Sequence, residues 1–169
     1  MHERFGEAIY TIGHSTHPIE AFIDIAHKNA LTTIVDVRSA PYSSFVPQYN
    51  KETLCHALKS HKIDYLYMGD LLGARYDDKK VLFEDGKVNF KKVQKTKDFQ
   101  KGILRLEHGL GKGYRIALMC SEKEAFDCHR FGLISEYLTH HKIRVEHIYP
   151  DALKSQATLE QRLLKKIRT

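Results

Sequence analysis

The sequence has little cysteine, and what it has is not arranged for cross-linking. Three cysteines in 169 residues, Cys55, Cys120 and Cys128, show no short repeated spacing. That excludes a disulfide scaffold as the source of stability and points to a reducing compartment, the cytoplasm. Long apolar runs are also missing: nothing approaches the roughly 20 residues that span a bilayer, so no membrane association is expected. The first residues, Met1 to Glu7, carry no signal-peptide pattern. No repeat, low-complexity tract or linker interrupts the chain. Three common site signatures are absent as well. There is no G-x-G-x-x-G after a strand, no G-x-x-x-x-G-K-[ST] loop and no G-x-S-x-G elbow. Gly109-Leu110-Gly111-Lys112-Gly113 precedes a strand rather than a helix and reads as a connector.

What is present is an ordinary globular composition. Hydrophobic residues make up 42% and charged residues 28% of the chain, which is incompatible with wholesale disorder. The length suits one domain over residues 1–169 with a core of its own. Lys and Arg total 27 against 21 Asp and Glu, a net charge of +6. The surplus sits in one stretch. Residues 87–105 hold seven basic residues (Lys87, Lys91, Lys92, Lys95, Lys97, Lys101, Arg105) and one acidic, Asp98, so the rest of the chain balances.

Apolar patterning alternates strands with helices. Ala8–Ile12, Thr32–Val37, Ile63–Met68, Tyr114–Met119 and Val145–Tyr149 read as strands. Pro18–Asn29, Glu52–His61, a basic region from Asn89 to about His108 that breaks near Thr96 and Asp98, Glu124–His140 and Thr158–Ile167 read as helices. Residues 69–86 are irregular, with a small hairpin. The alternation predicts one α/β domain: a mostly parallel five-stranded sheet flanked by helices, a Rossmann-like three-layer arrangement.

Ligands of open α/β sheets bind beyond the carboxyl ends of the strands. Gly13-His14-Ser15 follow the first strand, Asp36 and Arg38 end the second, and Cys120-Ser121-Glu122 follow the fourth. Three separate segments thus bring reactive residue types to one edge. Each also has a plainer role open to it. His14 and Ser15 can cap backbone groups in a turn. Asp36 can pair with Arg38 or a helix N-terminus, and Cys120 can be an inert core thiol. Between a strand and a helix, however, amide dipoles favour a thiolate.

The helix after Cys120 adds an arginine. Counting about 100° per residue from Phe126 puts Leu133, Ile134 and Tyr137 on one apolar arc with Arg130 inside it. A buried arginine must be paired or reach a ligand, and Glu122, Asp36 and a bound anion are the candidates. By the same count Cys128 and His129 lie off the arc. The spacing Cys-x7-Cys-His fits no common zinc pattern, so no metal is expected. His140-His141 falls at a helix end, where a solvated role suits the dipole.

Taken together and in order, these residues carry a resemblance. Thr11-Ile12-Gly13-His14-Ser15, Asp36-Val37-Arg38-Ser39 with Pro41 and Ser43, Cys120-x-Glu122, and Cys128-His129-Arg130 resemble the domain of unknown function 488 family, from about Tyr10 to about Tyr149. The resemblance implies a prokaryotic α/β protein with no established activity. It marks His14, Ser15, Asp36, Arg38, Pro41, Ser43, Cys120, Glu122, Cys128, His129 and Arg130. That family's Leu-Gly-Gly after the third strand reads Leu72-Gly73-Ala74 here. A looser likeness to rhodanese-type sulfurtransferases breaks down after Cys120. Ser-Glu-Lys-Glu-Ala-Phe follows, with no glycine and with Phe126 where an anion loop needs arginine.

Three functions compete. In the first, the strand ends bind an anionic, phosphate-bearing small molecule or act on it. Arg38, Arg130, His129, Ser15 and Ser43 would be substrate-binding, Cys120 nucleophile or contact, Glu122 or Asp36 an acid/base group, and His14 a proton carrier. In the second, the protein associates with nucleic acid through residues 87–105. Lys87, Lys91, Lys95, Lys101 and Arg105 share an arc of about 120° if that helix is continuous. In the third, it binds a protein partner and the site is vestigial. No particular cofactor or oligomeric state is indicated.

Overall fold

A computed structural model describes residues 7–168. Six strands form one sheet: β1 (Ala8–Gly13), β2 (Thr33–Asp36), β3 (Asp64–Tyr67), β4 (Ile116–Cys120), β5 (Arg144–Tyr149) and β6 (Ala152–Ser155). Their spatial order is β3-β2-β4-β1-β5-β6, with every pair parallel except β5·β6. The architecture is the expected α/β sheet with one strand more. Ala152-Leu153-Lys154-Ser155 has no β-branched run to announce it. Its pairing comes from β5, onto which the chain folds back at Pro150-Asp151.

The central strands β1 and β4 are buried at every position, as a parallel strand covered on both faces must be. Their side chains alternate between two cores. On one face Tyr10, Ile12, Ile34, Ala117 and Met119 pack with Phe22, Ile23 and Ala26 of α1 (Ile19–Lys28) and with Leu54 and Leu58 of α2 (Lys51–Ser60). On the other, Ile9, Val35, Ile116, Leu118 and Cys120 meet Leu71 and Leu72 of α3 (Gly69–Leu72) and Phe99, Ile103 and Leu106 of α5 (Lys97–Gly111). Cys120 therefore belongs to the second face, together with Leu133, Ile134 and Leu138.

Two expected helices are segmented, each for a local reason. In the basic stretch, the Asn89 side chain caps α4 (Phe90–Gln94) and the Thr96 hydroxyl accepts the Phe99 N–H to start α5. Lys91 lies on α4, where it pairs with Glu136 at 2.6 Å, whereas Lys101 and Arg105 lie on α5. The continuous helix that would align five basic residues does not form.

The stretch 124–140 is also not one helix. Ala125–Asp127 is a single 3-10 turn, Cys128 is extended, Arg130–Ser135 is a π-helical turn, and only Glu136–His140 is α-helical (α6). The Ser135 hydroxyl donates to the Arg130 carbonyl, capturing an acceptor that an α-helical ladder would use. Gly132 lies against the Phe90 ring, where an added Cβ would come within 3.2 Å. The last helix, α7 (Gln156–Arg168), starts directly after β6. No helix among the described residues is long and apolar enough to cross a membrane.

Candidate functional site

The parallel register places Gly13 beside Cys120 and Asp36 beside Met119, so β1, β4 and β2 end side by side. The loops beyond them stay coupled. His14 and Ser15 donate backbone N–H bonds to the carbonyls of Cys120 and Ser121, both at 2.9 Å. A Cβ on Gly13 would lie 1.8 Å from the Glu122 carbonyl oxygen, so only glycine admits this approach.

Behind the strand ends lies a closed polar network. Arg38 forms a two-pronged pair with Asp36 (Nε–Oδ1 2.9 Å, Nη2–Oδ2 2.8 Å), and its own backbone N–H adds a third bond at 3.1 Å. Tyr65 donates its hydroxyl to Oδ2 at 2.6 Å. Asp36 thus accepts four bonds, the full capacity of a carboxylate. The charge and hydrogen bonds of Asp36 outweigh the cost of burial and raise the Arg38 pKa. Arg38 Nη2 also donates to the Tyr49 carbonyl at 2.8 Å.

His14 completes this network. Its Nδ1–H donates to the Ser15 carbonyl at 2.7 Å, helped by the left-handed backbone of Ser15 (φ 49°). That leaves Nε2 to accept from Arg38 Nη1 at 3.3 Å. The ring stacks on Tyr49 with centroids 4.2 Å apart. Burial, opposed by the Ser15 carbonyl and reinforced by Arg38, lowers the His14 pKa to about 4, so it stands neutral at pH 7.

In front of the network is a sulfur cluster. Cys120, Cys128 and His129 bring Sγ, Sγ and Nδ1 within 4.8 Å of one another. Nδ1 is 4.0 Å from Cys120 Sγ and 3.6 Å from Cys128 Sγ. His129 Nε2–H donates to the Val37 carbonyl at 2.9 Å, which turns Nδ1 toward the sulfurs. A hydrogen bond from Cys128 draws the Cys120 thiol well below the usual range, against burial and with help from His129 and Arg130. The same bond, together with burial, pushes Cys128 up. Cys120 is thus the more acidic of the two thiols.

Arg130 is 1% exposed and sits beneath this cluster. It has no carboxylate partner among the described residues. Nη1 and Nη2 donate to the backbone carbonyls of Glu122 (2.9 Å) and Lys123 (3.1 Å), and Nε has no hydrogen-bond partner among the described residues. Its charge holds the loop after β4 and acts on both thiols.

The cluster opens into a cavity of about 330 Å³. Cys120, Cys128 and His129 line it, together with Arg38, Arg75, Phe90 and the acidic residues Glu122 and Asp127. Of the residues expected at the site, Arg38, Cys120, Glu122 and His129 reach this cavity. Asp36, His14 and Arg130 stand behind it, in bonds that fix other groups. Ser15 and Ser43 do not line it. Ser43 instead shapes its own loop, taking the Asn50 side chain on its N–H and the Phe45 N–H on its hydroxyl.

The sequence assigns no site role to Arg75 or Phe90, and it marks Cys128 only through the family resemblance, since the helical count turns Cys128 off the inward arc. For Cys128 the cause is the extended residue before the π-helical turn, which shifts the phase assumed for a helix from 124. Arg75 and Phe90 come from the irregular segment after β3 and the helix that follows it, where no periodicity marks an inward face.

A family model described as Domain of unknown function DUF488 matches residues 18–138. No curated protein and no solved structure is similar enough to the chain to count as a match.

Proposed function

This chain belongs to the DUF488 family, a domain of unknown function, and we propose that it binds an anionic, phosphate-bearing small molecule at the carboxyl ends of β1, β2 and β4, as an enzyme or as a binding protein. One observation carries this reading. A thiol held toward its charged form and two arginines, Arg38 and Arg75, line the same cavity at the strand ends. Arg75 is exposed and free to close on a phosphate, and Arg38 is pre-oriented by Asp36. Cys120 contacts the ligand from the cavity floor. Glu122, which lines the cavity, suits proton transfer better than Asp36, whose four lone-pair positions are all occupied. Three free cysteines suit a cytoplasmic location.

A panel of phosphomonoesters and nucleotides titrated calorimetrically tests the reading. Wild type binds at least one member, Arg75→Ala weakens that binding at least about tenfold, and Cys120→Ala changes its enthalpy or abolishes turnover. Equal binding by wild type and both variants, or no binding by any of them, refutes it.

A further inference from the structure

Cys120, Cys128 and His129 converge from two separate segments. Cys120 ends β4, while Cys128 and His129 precede the π-helical turn. The geometry points to a mononuclear site for a zinc-class divalent cation on these three residues, with a fourth coordination position open to the 330 Å³ cavity. This site shares the cavity proposed to take the anionic ligand and rests on that reading of where function lies.

The separations fit. A tetrahedral zinc ion with Zn–S of about 2.3 Å and Zn–N of about 2.0 Å sets its sulfur and nitrogen ligands about 3.5 Å apart. Here the two S···N distances are 3.6 and 4.0 Å, and all three atoms fall within 4.8 Å. Closing on an ion takes shifts of about an ångström or less.

The surroundings agree with the distances. A metal-binding histidine characteristically donates its other ring N–H to a carbonyl or carboxylate, which fixes the ring and the free nitrogen. His129 does this, through Nε2 to Val37 at 2.9 Å. The Arg130 backbone N–H points at Cys128 Sγ at 3.5 Å, a contact suited to a thiolate ligand. Two thiolates and an imidazole are soft donors, which select zinc, cobalt or copper(I) over magnesium or calcium. Two thiolates neutralise a divalent ion, and the buried Arg130 then leaves the floor positive toward an anion at the fourth position. Three protein ligands and an open place are the arrangement of catalytic rather than structural zinc.

As the ligand of an ion, Cys120 is not a free nucleophile, and one experiment separates the two roles. Reduced, metal-free protein is titrated with cobalt(II), then with zinc. The expected result is one equivalent of cobalt per chain, with a thiolate-to-cobalt charge-transfer band, the intense visible bands of tetrahedral cobalt, and loss of both on adding zinc. Cys120→Ser and Cys128→Ser each lower the charge-transfer intensity and the affinity. His129→Gln weakens binding by more than the about 10–100-fold that loss of an outer partner costs. Cys55→Ser, remote from the cluster, keeps the full spectrum. A reduced wild type with three titratable thiols and no such bands overturns the site, whatever the variants do. So does an undiminished spectrum in Cys120→Ser and Cys128→Ser. Inorganic phosphate titrated into metal-free and zinc-loaded protein distinguishes the two failures. Phosphate binding without cobalt bands removes the metal and keeps the anion site. Cobalt bands without phosphate binding in either form do the reverse.

Discussion

Two groups of polar residues lie a few ångströms apart at the strand ends, and they are built on opposite principles. Around Asp36 all four carboxylate positions are filled, and Arg38 uses four of its five side-chain N–H donors on the network. Arg38, Tyr65, His14 and the Tyr49 carbonyl close on one another, and the carboxylate has no position left. Around Cys120 the contacts are long, sulfur to nitrogen at 3.6 to 4.0 Å, and the group faces a cavity. Matched polar groups fix a structure, because removing one leaves the others buried and unpaired. Underused ones keep bonding capacity in reserve. Buried polar residues are thus closed on one another in the first group and left open to a cavity in the second.

The sharpest way to break the comparison is Asp36→Ala. It strands Arg38 in the core and is expected to cost about 3–5 kcal/mol in urea unfolding. A loss below about 1 kcal/mol would mean the network is not a framework. Acid attacks the same side next. His14 and, elsewhere in the sheet, His147 are held neutral by burial, each with its pKa lowered from 6.5 to about 4. Between those values the unfolded chain binds the extra proton and the folded chain does not. Stability is therefore complete above about pH 6.5 and falls as pH drops toward about 4, by on the order of 3 kcal/mol per histidine. Unfolding free energies that stay flat over that range would contradict the neutral assignment.

Gly13→Ala tests the coupling between the two groups. The added methyl meets the Glu122 carbonyl and the Arg130 guanidinium. It is expected to destabilise by about 1–3 kcal/mol and to disturb cobalt or phosphate binding as well. Cys120→Ser is the counterpart on the underused side. Its stability cost stays below about 1.5 kcal/mol, while alkylation by iodoacetamide loses its fast phase. A large stability cost with unchanged alkylation would make Cys120 a framework residue. The smallest effect belongs to Thr96→Ala, about 1 kcal/mol from the lost cap of α5, with no change at the site.

How much of this was legible differs by region, for physical reasons. Strands buried on both faces, such as Ile116–Cys120, announce themselves as apolar runs, and the α/β alternation follows from them. The gathering of Gly13, Arg38 and Cys120 at one edge follows from parallel topology alone. The burial of Arg130 was visible in the apolar arc around it. The inward turn of Cys128 and His129 escapes the helical count and is marked only by the family resemblance, because a uniform 100° step assumes an α-helix that the chain does not form there. The saturation of Asp36 also escapes a sequence. It depends on Tyr65, 29 residues away, and on Arg38 folding back two residues. The sixth strand was hidden for the same reason, since its neighbour supplies its pairing.

The π-helical turn at Arg130–Ser135 makes residue count as sensitive a quantity as residue identity in this part of the chain, where five of six residues are buried and Gly132 lies on the Phe90 ring. Removing one residue between Phe131 and Ile134 would rewind it and turn everything on one side by about 100°. Either Cys128 and His129 would swing away from Cys120, or Leu133 and Leu138 would leave the core. No single-residue shortening satisfies both, so this segment is held by geometry in its length as well as in its buried side chains.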